Sequence, residues 1–261
     1  MARRIRVPSI GAVEHRGTDR GQRYLPQPPD VVAVVRGAAA SAQLRLFPVQ
    51  RALLADVHFT PQCGQHPLAF RVTYLGELGY ELYIPTEFAP TVYDKLMEAG
   101  QDLGVRNAGL QALNSLRVEK AYRDYGHDID VTDTPLEAGL DFVVDFDKPG
   151  GFIGREALLR QKESGPLQKR FLQFLLEDPE PLLYYGEQIY RDGKWAGYLR
   201  SGAYGFTLGA SVGLGFIEDE AGLTAENIKN SKFEIDVNGT RVPAKASLRP
   251  MYDPKSEKIK I

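Results

Sequence analysis

The sequence predicts an α+β region over residues 68–166, followed by a small antiparallel β-barrel or sandwich over residues 167–261. In the first region, two β-like runs around a glycine turn precede segments whose apolar residues recur with helical spacing. In the second region, six short β-like runs alternate with turn residues, which is typical of small antiparallel barrels and sandwiches. With 43% hydrophobic and 25% charged residues, the composition is that of a globular protein with a buried core.

Residues 1–67 differ from the rest of the chain in charge. They contain nine Arg, no Lys and four acidic residues, whereas residues 68–261 contain 23 basic and 30 acidic residues. Their apolar runs are short and prolines are frequent, so we expect a poorly structured or unrelated N-terminal segment. The arginine-rich start is also typical of a mitochondrial transit peptide, and this alternative stays open.

Composition also narrows the classes of function. A net charge of -2 and a pI of about 6.1 give no reason to expect nucleic acid or an acidic membrane surface as partner. No apolar run is long enough to span a membrane. The single cysteine, Cys63, excludes an internal disulfide and favours a reducing compartment. Together with His58 and His66 it lacks the ligand spacing of a structural zinc site, so no metal is predicted. No nucleotide-binding glycine motif is present, so no FAD site is expected in this chain.

The first region begins with paired strands. Residues 70–74 alternate in the manner of a strand, and residues 80–84 form a second strand after a glycine turn. A helix is predicted over residues 86–104, with Thr86 as its candidate N-cap.

A second helix is predicted over residues 108–123. The candidates for its buried side are Leu110, Leu113, Leu116, Val118 and Tyr122. A short strand at residues 141–145 and a third helix at residues 155–163, after a glycine-rich turn, complete the region.

The second region contains six predicted strands, at residues 170–176, 187–190, 195–200, 212–217, 232–237 and 241–248. Asp192-Gly193 and Asn238-Gly239 are typical of two-residue hairpin turns between such strands.

Residues 74–81 combine two glycines with flanking acids and aromatics. Glycines let a chain turn sharply close to a ligand. A carboxylate such as Glu81 can accept two parallel hydrogen bonds from an amino-pyrimidine edge, while Tyr74 packs against the flat ring. Glycine turns with such neighbours are more often purely structural, so both interpretations stay open.

The second helix carries charged candidates. Arg117 and Glu119 are placed to contact a ligand carboxylate or a partner, or to form a local ion pair worth under about 1 kcal/mol. The acidic residues that follow lack the spacing of an EF-hand, so a calcium site is not expected: Asp128, Asp130, Asp133 and Glu137.

Residues 72–85 resemble the glycine cleavage T-protein motif in the form found in sarcosine and dimethylglycine dehydrogenases. Further segments match in the same order: residues 112–122, 126–130, 134–139, 152–158, 186–190, 201–205 and 250–254. The chain therefore resembles the C-terminal, T-protein-like (aminomethyltransferase, folate-binding) region of that dehydrogenase family. The regulatory subunit of pyruvate dehydrogenase phosphatase carries a very similar region.

This resemblance implies a partial aminomethyltransferase folate-binding domain over residues 68–166, followed by a C-terminal β-barrel. It implies tetrahydrofolate as ligand, with Glu81 holding the pterin, Tyr74 beside it and Arg117 as a further binding residue. Two departures accompany the match. Leu113 stands where the T-protein has an arginine that meets folate, and residues 1–69 do not resemble the subdomain that carries the family's catalytic aspartate.

The expected function is therefore that of a fragment-like member of the folate-dependent one-carbon transfer family, which binds tetrahydrofolate weakly and is not catalytic alone. The catalytic residues stay unknown, and whether the chain is an enzyme stays open. A non-catalytic regulatory or interaction subunit is the alternative, and an incomplete gene product is the third. The expected partners are folate and either a flavin-dependent dehydrogenase or a regulatory partner. The expected location is the mitochondrial matrix, with the cytoplasm as the alternative.

Overall fold

The computed structural model describes Val32–Ala33 and residues 68–260. The chain divides into two compact units, each built from two segments: Met1–His66 with Ile84–Gly109, and Pro67–Tyr83 with Leu110–Ile261. Most of the N-terminal segment predicted to be poorly structured lies outside the described residues. The domain boundaries predicted at residues 67 and 167 stay predictions.

The described elements follow in chain order. The strands are β1 Val32–Ala33, β2 Leu68–Phe70, β3 Glu81–Tyr83, β4 Asn107–Ala108, β5 Lys169–Leu176, β6 Gln188–Arg191, β7 Lys194–Gly205, β8 Ala210–Glu218, β9 Phe233–Val237 and β10 Thr240–Ser247. The α-helices are α1 Ala89–Gly100, α2 Leu110–Glu119, α3 Arg155–Glu163 and α4 Ala225–Asn230. None of the helices in this described part has the length and hydrophobicity needed to cross a bilayer.

Within the first unit, the structure describes helix α1 and a two-stranded sheet in which β1 pairs antiparallel with β4. The helix predicted over residues 86–104 is confirmed as α1 flanked by two 3-10 turns. Its predicted start is wrong, because Thr86 lies in the first 3-10 turn and α1 begins at Ala89, with Pro90 in its first turn. Proline suits that position because the first amides of a helix lack intrahelical acceptors.

In the second unit, β2 and β3 form an antiparallel pair in which Ala69 faces Leu82. The second predicted strand is confirmed, whereas the first, predicted at residues 70–74, is wrong beyond Phe70. Beyond that point, the Thr73 hydroxyl accepts the backbone N–H groups of Leu75 and Gly76, so the chain turns instead of continuing the strand.

Between α2 and the barrel, the chain is mostly turns. The predicted strand at residues 141–145 is wrong, because Asp141–Val143 forms a 3-10 helix. Strand propensity over three residues is a weak signal when no neighbouring strand is available to pair with. The third predicted helix is confirmed as α3, which begins directly after Gly154 at a φ of 89°.

The last six strands close into a barrel in the order β10-β5-β8-β7-β6-β9. A barrel rather than a sandwich is therefore present, and all six predicted strands are confirmed. Both predicted hairpin turns join adjacent strands, and Asp192, Gly193, Asn238 and Gly239 all have positive φ, as a type I′ turn requires.

The barrel encloses an apolar core. Its fully buried members include Phe174, Leu199 and Ile235, contributed by three different strands. Helix α4, which was not predicted, adds Ile228 to this core. Strand β7 is part of this closed, packed sheet. It therefore forms a rigid surface against which the side chains of α2 pack.

Candidate ligand-binding site

Helix α2 has an exposed start and a buried end. Val118 is fully buried as predicted, whereas Leu110 is 65% exposed, so its predicted place on the buried side is wrong. The remaining buried residues at this end are polar or charged: Ser115, Arg117, Glu119 and Lys120. Buried charges are tolerated only when they are paired, so each of these side chains requires a partner.

Arg117 is the centre of a buried network. Its Nη1 donates to Asp128 Oδ2 at 2.5 Å, and its Nη2 donates to Ser201 Oγ at 2.8 Å. Ser201 Oγ donates in turn to Asp128 Oδ1 at 2.5 Å, which closes a triangle. The guanidinium also donates to the Asn114 side chain and to the Tyr122 carbonyl. The network ties α2 to barrel strand β7 and to the loop that follows α2.

These contacts define what Arg117 can do. A guanidinium has five N–H groups, and four of those of Arg117 donate within the protein. Arg117 is also only 2% exposed. It is therefore placed to position neighbouring side chains, and its direct contact with a ligand stays a prediction.

Tyr74 lies against Arg117 at the start of the glycine turn. Its ring centroid is 6.0 Å from Arg117 Cζ, at the limit of a cation–π contact. The ring is nearly parallel to that of Tyr122, with centroids 6.3 Å apart, and its hydroxyl donates to the Arg123 carbonyl at 3.2 Å. The structure thus brings two of the three predicted site residues together.

Burial raises the pKa of Tyr74 to about 12, although the positive charge of Arg117 opposes this shift. We expect a spectrophotometric pH titration of wild type minus Tyr74→Phe to give a difference curve with its midpoint near pH 12. The stability that the neutral phenol contributes is complete below pH 10 and is lost as the pH rises toward 12, because the unfolded chain ionises first. A midpoint near 10 would show that the phenol is exposed.

Lys120 forms the base of the turn that follows Tyr74. Gly76 has a φ of 78°, and a Cβ atom at this position would lie 2.7–2.8 Å from the aliphatic stem of Lys120. Only glycine combines this backbone conformation with the available space. The lysine is 1% exposed, so its stem is part of the packed interior.

Glu81, the third predicted site residue, lies on β3 with an exposed side chain. Its Oε2 accepts a hydrogen bond of 3.0 Å from the Tyr83 hydroxyl, and this bond raises the pKa of Tyr83. Glu81 is therefore accessible to a ligand, whereas Arg117 is enclosed by the protein.

Two cavities are described within residues 68–260. The larger is an open groove of about 910 Å³ beside the start of α3, lined by Phe146, Lys148 and Arg155 among others. The smaller, of about 360 Å³, lies beside α4. Tyr74, Glu81 and Arg117 line neither of these two cavities.

Glu119 is a buried carboxylate with one unmatched oxygen. Its Oε1 accepts the backbone N–H groups of Thr207 and Leu208 at 2.7 and 2.8 Å, whereas its buried Oε2 has no hydrogen-bond partner among the residues that the structure describes. Burial raises the pKa of Glu119 against the opposing effect of these hydrogen bonds. Its contacts anchor the loop between β7 and β8.

The acidic residues after α2 serve separate contacts. Asp133 pairs with Lys169 at 2.6 Å, and Glu137 accepts a hydrogen bond from Gln161. No group of three His, Cys, Asp or Glu residues able to hold a metal ion is found among the residues that the structure describes. The weak zinc candidates lie outside that part of the chain: His58, Cys63 and His66.

Two family models match most of the chain. The model of the GCVT N-terminal domain matches residues 40–148, and the model of the glycine cleavage T-protein C-terminal barrel domain matches residues 169–253. The chain belongs to the glycine cleavage T-protein family. The first match begins at residue 40, so the resemblance to this family extends into the segment predicted to be unrelated.

Relatives of this T-protein family member are larger proteins. It is 46% identical over 192 residues to 4-methylaminobutanoate oxidase (formaldehyde-forming) of Paenarthrobacter nicotinovorans, covering 74% of this chain and 22% of the oxidase. The chain is 43% identical over 191 residues to the mitochondrial pyruvate dehydrogenase phosphatase regulatory subunit of Mus musculus, covering 69% of this chain and 22% of that subunit. The chain is 36% identical over 194 residues to mitochondrial sarcosine dehydrogenase of Homo sapiens, covering 74% of this chain and 21% of that dehydrogenase. The chain thus spans about a fifth of the length of these relatives.

A solved structure shows the same fold. The glycine cleavage system aminomethyltransferase T from Bartonella henselae superposes with a TM-score of 0.61 at 24% identity, covering 75% of this chain and 55% of that chain. The predicted folate-binding-type domain followed by an antiparallel barrel is therefore confirmed as the T-protein fold.

Some of the residues that hold Arg117 and the glycine turn in place were not predicted from the sequence. Ser201 completes the arginine network, and Lys120 supports the glycine turn together with Tyr252 and Asp253 from the C-terminus. One signal was present in the sequence: the end of α2 places an arginine, a glutamate and a lysine within four residues of each other, beside the small and apolar residues of a family motif. Such density of charge indicates either a solvated face or a buried network, and only the fold distinguishes them.

Proposed function

We propose that this chain binds the pterin of tetrahydrofolate at the surface formed by Glu81 and Tyr74, with Arg117 as a positioning residue. The observation that supports the proposal is the exposed Glu81 carboxylate beside a turn whose first residue, Tyr74, is held by the Arg123 carbonyl and by Arg117. A pterin presents a ring N–H and an amino group side by side, and a carboxylate accepts such a pair in two parallel, charge-assisted hydrogen bonds.

The proposed affinity is weak. Small-molecule sites usually enclose most of the ligand, whereas Glu81 lies on an accessible surface. Water competes with the ligand for an exposed carboxylate, so each hydrogen bond contributes little net free energy. We therefore expect a dissociation constant in the high micromolar to millimolar range, corresponding to roughly −4 to −6 kcal/mol.

The proposed reaction class is folate-dependent one-carbon transfer. A one-carbon unit at the oxidation level of formaldehyde, released when an N-methyl group is oxidised, condenses with two folate nitrogens and loses water to give 5,10-methylenetetrahydrofolate. The oxidation itself requires a flavin enzyme, so the proposed partner is a flavin-dependent dehydrogenase. Two of the relatives, an oxidase and sarcosine dehydrogenase, carry such an activity in their names. The proposed location is the mitochondrial matrix, by analogy with the mitochondrial relatives.

Titration of the full chain with tetrahydrofolate in a calorimeter tests this proposal. Replacing Glu81 with glutamine removes one charged acceptor, and we expect it to weaken binding by about 10-fold. Because water competes at this exposed site, we expect only the low end, about 1.5 kcal/mol, of the usual contribution of a hydrogen bond to a charged group. Glu226→Gln, which changes another exposed carboxylate, on α4, is the control and should bind as the wild type does. Absence of heat at millimolar ligand, or equal binding by Glu81→Gln, would exclude the proposed site.

The second candidate is a non-catalytic interaction subunit. The 43% identity to the phosphatase regulatory subunit favours it, as do fully or largely exposed apolar side chains at Ile153 and Phe142. Folate binding and partner binding are separable in the same preparation. A chain that binds no folate but forms a stoichiometric complex with a dehydrogenase or phosphatase subunit in size-exclusion chromatography would support this second function.

A further inference from the structure

The C-terminal residues 251–259, here named the strap, contact the glycine turn from below. The Tyr252 hydroxyl donates to Glu77 Oε1 within the turn. The Lys120 Nζ donates to Asp253 Oδ2 at 3.0 Å and to the Asp253 carbonyl at 2.6 Å. Arg71, just before the turn, donates to the Ile259 carbonyl at 3.2 Å.

The strap is itself anchored at its first residue. The Met251 N–H donates to Gln173 Oε1 at 2.7 Å, and Gln173 Nε2 donates to the carbonyls of Val118 and Glu119 at 2.8 and 2.9 Å. Gln173 is 2% exposed, so one buried amide joins barrel strand β5, the end of α2 and the strap. The strap therefore starts from a rigid point.

Lys120 transmits this anchoring to the turn. Its stem lies directly under Gly76, and its charged head is held by Asp253. The side chains of this ion pair are 1% and 8% exposed, so a lysine without Asp253 would be a buried charge without a partner. Relieving that cost requires the head to move toward water, and the stem would then leave the underside of the turn.

We infer that the strap holds the glycine turn (residues 73–80) in its binding conformation. Order in the strap and ligand binding at Glu81 are therefore coupled. This coupling extends the folate-binding function proposed above, and its prediction for ligand affinity rests on that function. Thermodynamic linkage requires reciprocity: if the strap raises affinity for the ligand, the ligand must stabilise the strap by the same factor.

The electrostatics of Asp253 agree with this role. Burial alone would raise its pKa, but hydrogen bonds from Lys120 and from the backbone N–H groups of Glu257 and Lys258 hold the pKa below its ordinary value. Asp253 is therefore ionised at neutral pH, and its oxygens connect Lys120 to two amides farther along the strap.

Hydrogen exchange of the full chain, followed by mass spectrometry without ligand, tests whether the strap holds the glycine turn in place. Asp253→Asn removes the charge and keeps the side-chain shape, and Tyr252→Phe removes only the hydroxyl. We expect each to speed exchange in residues 73–80 by at least about 10-fold, while barrel residues 212–217 keep their wild-type protection. Tyr190→Phe, which removes a hydroxyl bonded to Gln188 on the outer barrel, is the matched control and should change neither.

A second arm tests the coupling. With saturating tetrahydrofolate, the wild type should gain protection in the strap, and Asp253→Asn should bind about 10-fold more weakly. Unchanged exchange of the turn in both variants, with the fluorescence of Trp195 showing a folded barrel, would overturn the positioning role. A loosened turn with unchanged ligand affinity would overturn the coupling. If the wild type binds no folate, the proposed function fails, and exchange without ligand still decides whether the strap holds the turn.

Discussion

Replacing Asp128 with alanine is expected to lower the free energy of unfolding by about 3–5 kcal/mol. Asp128 is fully buried, and its two oxygens accept hydrogen bonds from Arg117, Ser201 and the Asp124 N–H. Without it, the guanidinium of Arg117 would be a buried charge with no counter-ion. Denaturant unfolding monitored by the fluorescence of Trp195 measures the effect, since this tryptophan lies on the same strand as Ser201.

The matched control is an ion pair at the surface. The side chains of Arg155 and Glu156 are 35% and 73% exposed, so Glu156→Ala should cost under about 1 kcal/mol. Asp128→Asn should fall between the two, because it keeps the shape of the side chain and loses its charge. An Asp128→Ala variant as stable as Glu156→Ala would mean that water already reaches the Arg117 guanidinium in the folded protein.

Elements governed by local rules were predictable from the sequence. The six barrel strands follow from short β-like runs between turn residues, and two of their hairpins follow from the preference of Asp-Gly and Asn-Gly for positive φ. Helix α3 was predicted from the glycine-rich turn that ends at Gly154, directly before its first residue. Helix α4 escaped prediction although Thr224 and Asn227 form a capping box, because a helix of six residues carries little periodic signal.

Features that depend on distant contacts were not predictable. Arg117 resembles a surface charge in the sequence, and it is buried because Ser201 and Asp128 approach it in the fold. The bond between Tyr252 and Glu77 joins residues 175 positions apart. Neither composition nor periodicity contains such information, since both describe neighbours along the chain.

The candidate site shows the same division. The family motif predicted residue types that suit a pterin, and this role stays a prediction. In the structure, the Tyr74 ring lies 6.0 Å from Arg117 Cζ. Glu81 is exposed on β3, whereas Arg117 is buried because α2 packs against the barrel. A glutamate and an arginine that are equally polar in the sequence therefore have different capacities to meet a ligand.

Replacing Gly76 with alanine is expected to destabilise the protein by about 2–5 kcal/mol and to weaken ligand binding at Glu81. About 1–2 kcal/mol comes from holding an L residue at the positive φ of 78°. A further 1–3 kcal/mol or so comes from forcing the new methyl group against the stem of Lys120. Denaturant unfolding gives the first quantity, and calorimetric titration with tetrahydrofolate gives the second.

Gly239→Ala separates these two contributions. Gly239 has a φ of 83° in the β9–β10 hairpin, and no atom lies within 4 Å of the Cβ that alanine would add. It should therefore show the backbone cost alone and leave ligand binding unchanged. If Gly76→Ala were no more costly than Gly239→Ala, Lys120 would have moved aside freely, and the ion pair with Asp253 would not be rigid enough to hold the turn. If the excess cost is present, the same contact that makes glycine necessary at position 76 also connects the turn to the strap, because Lys120 cannot yield at its stem without straining its bond to Asp253.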